Sequence, residues 1–387
     1  MQEQPSSWRD GREGEGDSPV QPGGTRSPPP ARRMTRRRFS RLRSMRRILA
    51  FLLLTIAAAA QQLPHEDAVR IAEFYRLAAQ IQDQVWPDWS KTPAPLLLIT
   101  DKTEFLTHDP APPKDFTKVS EGIYARPRQF DIHLLATFPA FGPPALMVVG
   151  QAQNTEAKSS TPWLIKVMHE HFHQLQWAQP GYADGVANLR LSGDDKTGMW
   201  MLNYPFPYDR PEVVQSFSQL RDLLLRALAQ TNPEEFKQIA AEYVTRCKKV
   251  FAQLSPNDHK YFSFQLWQEG IARYTEIKAA ETAADYRPTA DFAALPDYES
   301  FAAYAARART DTLNELKLAD IGKSKRAFVY PFGAAEGLLL DRLNPEWRSE
   351  YFKHPFSTDA LFENGAAAAS HRPSRPSTTA FAKCSRL

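Results

Sequence analysis

The chain has 387 residues, of which 42% are hydrophobic and 24% charged, and it carries a net charge of +4. Two cysteines, Cys247 and Cys384, with no C-x-x-C pair, exclude a disulfide-framed miniprotein, so folding must rest on a hydrophobic core. The charge is uneven: residues 1–60 hold 12 Arg against five acidic residues, which leaves the remainder at −3 and without a general attraction to nucleic-acid phosphates.

In chain order, residues 1–44 are rich in Gly, Pro, Ser and Arg without an apolar period, and read as disordered or as an extension that precedes the true start at Met34 or Met45. Met45-Arg46-Arg47, the apolar run Ile48 to Ala60 and the ending Ala58-x-Ala60 describe a signal peptide over 45–60, hence an exported protein. Thr35 to Phe39 also resembles a twin-arginine export signal; a Sec signal from Met45 fits the flanking residues better. The apolar run is too short for a stable membrane span, which needs about 20 residues.

The mature domain is expected over 61–365, followed by a disordered tail, 366–387, that includes Cys384. Apolar spacing predicts a helix over 65–86, then a strand at Leu96–Thr100 and two or three more strands within Gly122–Leu135 and Ala145–Val149. A helix follows Ser159-Ser160-Thr161-Pro162, with Thr161 as N-cap and Pro162 at the first helical position. Beyond it the periodicity is helical over 211–230, 233–254, 259–283, 297–317 and 331–343, the second opened by Asn232-Pro233-Glu234-Glu235. Sheet first and helices second predict an α+β fold with a cleft between the two lobes. Cys247 falls in a helical run and reads as a small buried hydrophobe.

The helix after Pro162 carries His169-Glu170-His171-Phe172-His173, an H-E-x-x-H match. Residues four apart share a helix face, so His169 and His173 can offer imidazole nitrogens to one metal ion, with zinc the usual choice. Glu170 lies about 100° further round, free to act on water without being a ligand. An accidental match is expected in roughly one such chain in a hundred. The stripe Ile165, Met168, Phe172 and Leu175 adds weight, because it would pack the helix and fix the histidine rotamers. His171 points away from this face and reads as structural.

A catalytic zinc needs a third protein ligand. Positions 176 and 179 are both Gln, which removes a third histidine shortly downstream. Glu269, beside Gly270 where a backbone or the metal can approach closely, is the leading choice, with Glu276 and Glu242 as alternatives. The aromatic run Trp200 to Tyr208 either lines a substrate groove or packs onto the core.

His-Glu-His-Phe-His followed by Trp267-x-Glu269-Gly270-x-Ala272-x-Tyr274 resembles the gluzincin metallopeptidases, and the phenylalanine resembles their glycyl-aminopeptidase-like branch. The resemblance covers roughly 161–178, 262–277 and 328–345. It implies a zincin-like fold, one zinc ion held by His169, His173 and Glu269, Glu170 as general base, and a peptide or protein substrate. Tyr330-Pro331-Phe332-Gly333 is similar to a segment whose tyrosine steadies the tetrahedral intermediate in that group. The chain departs from the pattern in three respects. Counted as the offset between their positions, 96 residues carry the chain from His173 to Glu269, with 95 in between; Arg273 stands where a histidine-orienting acid is common, with Glu276 one helical turn further along and able to serve; and no G-x-M-E-N-like exopeptidase signature precedes the helix. The competing class is a non-catalytic exported domain that binds zinc or peptide on the same scaffold.

Overall fold

The computed structural model describes the backbone of residues 62–371 and the side chains up to Gly365. The expected extension, signal peptide and most of the expected tail lie outside the described residues.

Helix α1, His65–Val85, buries Ile71, Phe74, Leu77, Ala78, Ile81 and Val85 along one stripe, the 3.6-residue spacing that made it legible. Its Arg70 is also buried. That charge is tolerated because it donates to Asp67 at 2.9 Å, Ser160 at 2.8 Å and Asp297 at 3.2 Å, which ties three segments together.

Six strands follow: β1 Leu96–Ile99, β2 Thr103–Thr107, β3 Thr117–Ser120, β4 Ile123–Pro127, β5 Leu135–Phe138 and β6 Leu146–Gly150. They form one sheet in the order β3-β4-β2-β1-β6-β5, in which only β1 and β6 run parallel. The all-apolar β1 is central and covered on both faces, as such runs usually are. Leu96, Leu98, Met147 and Val149 face the helices, whereas Leu97, Ile99, Leu146 and Val148 build a smaller outer cluster with Phe116. Strands β2 and β3 were not expected. In β2 the buried Glu104 breaks the apolar pattern, and it is satisfied by Arg126 at 2.7 Å and by the backbone N–H groups of Gln129 and Phe130.

The remainder is helical: α2 Ser160–Trp177, α3 Tyr182–Asn188, α4 Pro211–Ala229, α5 Pro233–Phe251, α6 Pro256–Gln265, α7 Ile271–Thr282, α8 Phe301–Leu318, α9 Val329–Leu343 and α10 Asp359–His371, besides several single turns. The fold is therefore mixed α+β with the sheet preceding most of the helices. Asn232 caps α5 as expected, accepting from the N–H groups of Glu234 and Glu235.

Three expectations need correction. The N-cap of α2 is Ser159, not Thr161, whose hydroxyl is committed to the Glu299 carbonyl. The helix expected over 259–283 is interrupted by a π turn, Leu266–Gly270, between α6 and α7. Helix α10 runs past residue 365 to His371, where the tail was expected to have begun.

The π turn lies against α9. A Cβ placed on Gly270 would come within 2.7 Å of the Gly333 Cα, and one on Gly333 within 2.6 Å of the Gly270 Cα. The helices cross backbone to backbone at these two glycines, which is the close approach expected at Gly270.

Candidate metal centre

Helix α2 runs through the interior, with Ile165, Met168 and Phe172 fully buried and Leu175 nearly so. Trp86 stacks on Phe172 at 4.9 Å, which fixes the rotation of the helix about its axis. That rotation turns His169 and His173, 6% and 5% exposed, toward the π turn that carries Glu269. These three residues form a group able to hold a metal ion. The Nε2 atoms of the two histidines are 3.0 Å apart, and Glu269 Oε2 lies 3.8 Å from His169 Nε2 and 3.5 Å from His173 Nε2. The separations bracket the edge of about 3.4 Å expected between neighbouring ligands at tetrahedral bonds of about 2.1 Å.

The other ring nitrogens also have partners. Gln176 spends its amide N–H groups on the carbonyls of Trp267 and Gln268 and on the Tyr351 hydroxyl, so its carbonyl faces His173 Nδ1, 2.6 Å away, and accepts from it when that nitrogen is protonated. Gln268 Nε2 also stands 3.0 Å from this nitrogen and donates to it in the other tautomer. His169 Nδ1 donates to Glu276 Oε1 at 2.8 Å. With both Nδ1 atoms protonated, two Nε2 lone pairs point at each other across 3.0 Å. In that tautomer a proton or a metal between them satisfies both, whereas a His173 ring that donates from Nε2 to His169 Nε2 while its Nδ1 accepts from Gln268 needs neither.

Charge in the site follows from partners. Burial acts to raise Glu276, but Arg273 at 2.7 Å, Lys166 at 3.2 Å and His169 together hold its carboxyl well below the usual range. Burial likewise opposes ionisation of Glu269, and the two histidines with Arg326 reverse it, leaving the group well below its ordinary value. For His169 burial disfavours the cation, yet Glu269 and Glu276 raise it to about 9. Two anionic carboxylates facing two imidazoles make a site that attracts positive charge.

Glu170 lies outside the ligand set. Its Oε2 accepts from the Thr137 hydroxyl at 2.9 Å, and the same hydroxyl bonds its own backbone carbonyl, so β5 orients this carboxylate. The Tyr330 ring lies 6.4 Å from that of His169. Arg326 donates to the Tyr330 hydroxyl at 3.0 Å and approaches Glu269 Oε1 at 3.6 Å. Burial, with Glu269 adding to it, pushes the Tyr330 phenol above its usual range, so the group is neutral with its proton free to donate.

The remaining candidates resolve simply. His171 is buried on the opposite face, bonded to Gln174 and near Gln82, and burial lowers it to about 4. Glu242 is on the surface paired with Arg226, and Glu276 serves His169 rather than the donor triangle. The aromatic run packs inward: Trp200 stacks on Phe264, Tyr204 on Tyr261, and Phe206 against Phe262. Cys247 is half-buried rather than enclosed. Thr137, Gln176 and Arg326 were not anticipated; nothing in their local sequence separates them from ordinary surface or helix residues.

No protein-family model, curated protein or solved structure matches this chain. Among the described residues, no helix is long and apolar enough to cross a membrane.

Proposed function

We propose that this chain is an exported zinc-dependent metallopeptidase of gluzincin type, on a zincin-like scaffold with its cleft between the sheet and the helices. One observation carries the reading: both histidines have Nδ1 committed and Nε2 directed, with Glu269, at one point, while Glu170 stands beside them as an unused base. The donor set of two imidazoles and one carboxylate suits zinc and leaves a coordination position for water. A zinc ion held by His169, His173 and Glu269 would supply Lewis acidity, making water more acidic and polarising the scissile carbonyl.

The chain's own residues do the rest. Glu170 accepts a proton from the attacking water and delivers it to the departing amine, with Thr137 holding the carboxylate in place. Tyr330 donates its hydroxyl proton to the developing oxyanion, and Arg326, which bonds the lone pair of that hydroxyl, points the proton away from itself. Strand β5 ends the sheet beside Glu170 and is half-exposed, which suits an extended peptide laid along it. Export rests on the small-residue end of the apolar run, with cleavage expected after Ala60. N-terminal sequencing of protein from its native host tests it, and an intact Met45 on mature material would overturn it.

The decisive experiment is a peptide-library digest with wild type and Glu170→Gln, alongside metal analysis. Zinc content and Tm should stay near wild type, while hydrolysis falls by roughly 10²–10⁴-fold. Tyr330→Phe should lose less, nearer the effect of one oxyanion donor. Equal cleavage by wild type and Glu170→Gln would leave the non-catalytic zinc- or peptide-binding reading in its place.

A further inference from the structure

A second constellation shares no residue with the metal centre. Helices α5, α6, α9 and α10 surround a cavity of about 360 Å³, within the size range of small-molecule sites. Glu336, on α9 and 2% exposed, lines it. Its Oε1 accepts the Tyr243 hydroxyl at 2.6 Å, and its Oε2 is buried with no hydrogen-bond partner. A buried carboxyl oxygen left unpaired is costly, and it is uncommon in a folded protein unless something else fills its place.

The cations around the cavity do not fill it. Lys248 pairs with Glu363 at 2.8 Å and His259 with Asp359 at 3.4 Å; neither forms an ion pair with Glu336. With Lys248 committed to Glu363 and His259 facing Asp359, an ionised Glu336 has no cationic partner in the cavity lining. The walls beside it are aromatic: Phe362 lies 5.9 Å from Tyr243, and Phe251 lies 5.1 Å from His259. Aromatic faces attract cations and accept apolar bodies.

We propose that this cavity binds a small organic cation, an ammonium or amidinium group on an apolar body, with the Glu336 carboxylate as its counter-ion. The ligand's N–H groups would satisfy Oε2, and its apolar part would lie between Phe251 and Phe362. Burial raises Glu336 to about 8 with no cation nearby, which is the state an incoming ammonium would reverse.

The test uses the full chain and two isosteric probes, benzylamine and benzyl alcohol, titrated by calorimetry near pH 8. Benzylamine should bind at least about tenfold more tightly than the alcohol, as expected for a charge-assisted bond. Glu336→Gln keeps the shape and should erase that preference. Cys247, which lines the same cavity, locates the site: in a Cys384→Ser background, benzylamine should slow its alkylation by N-ethylmaleimide. If Glu336→Gln fails to fold, Ala252→Phe at the exposed mouth supplies the second variant and should abolish benzylamine binding. Equal affinity for the two probes, no binding of either, or amine binding that survives both Glu336→Gln and Ala252→Phe would overturn the proposal.

Discussion

Glu276 on α7 and Glu336 on α9 are buried to the same degree, 4% and 2% exposed, on helices that pack against each other. Burial pushes both upward. Around Glu276, two cations and a histidine overwhelm that push, and the carboxylate stays charged. Around Glu336 stand one phenol and, further off, the negative Asp359, so the acid is raised to about 8. Partners, not depth, decide the charge of a buried acid. The first glutamate is thereby fixed as a positioner of His169, while the second is left with an oxygen to offer.

The contrast can be broken at several levels. The largest effect is expected at the proposed ligands: if wild type purifies with zinc as proposed, His169→Ala or His173→Ala should purify without it. Full retention by both, read by metal analysis, would place the ion elsewhere. Next comes Glu276→Gln, which replaces the anionic acceptor of His169 Nδ1 by a neutral amide. It should weaken zinc by about 10–100-fold in a competition titration with a chelator. Glu336→Gln should leave that affinity untouched, and an equal loss in both variants would dissolve the distinction between the two glutamates.

A smaller effect concerns stability against pH. Because Glu336 is raised in the fold, the native state holds its proton between about pH 4.5 and 8, where the unfolded chain has released it. Its contribution is therefore present below the lower value and lost as pH rises through the upper one, with a slope of at most about 1.4 kcal/mol per pH unit. Tyr243, Cys247, Lys248, His259, Asp359 and Glu363 face the same cavity. Urea denaturation across this range should show a decline in wild type that Glu336→Gln flattens; parallel curves would mean that Glu336 titrates normally.

The comparison also explains what could be read in the sequence. His169 and His173 were legible because one helix turn fixes their relationship, whatever surrounds it. Glu269 was reachable through Gly270 beside it and through its setting. Thr137 acts through a contact that spans 33 residues, and Gln176 and Arg326, though close in sequence to His173 and Tyr330, also make contacts that span 91 and 57, with side chains whose types announce nothing. The π turn was invisible because only Gln268-Glu269-Gly270 separates Leu266 and Trp267 from Ile271 and Ala272, a gap that an ordinary helix also shows, so the pattern read as one helix. Strand β3 was missed because Thr117-Lys-Val-Ser120 is mostly exposed and carries no buried face. Helix α3 is short, and its Gly185 weakens the helical pattern while leaving room for the Phe356 ring.

One hydrogen atom at each of Gly270 and Gly333 sets the distance between the π turn and α9. Glu269 precedes the first glycine by one residue, and Tyr330 precedes the second by three. The gauge of the candidate metal site is thus cut into main chain, not into any of the side chains that line it. A single methyl at either position would spread the two segments and carry Glu269 and Tyr330 apart, with every donor still present. Such a chain would keep a full set of tools on a bench of the wrong width.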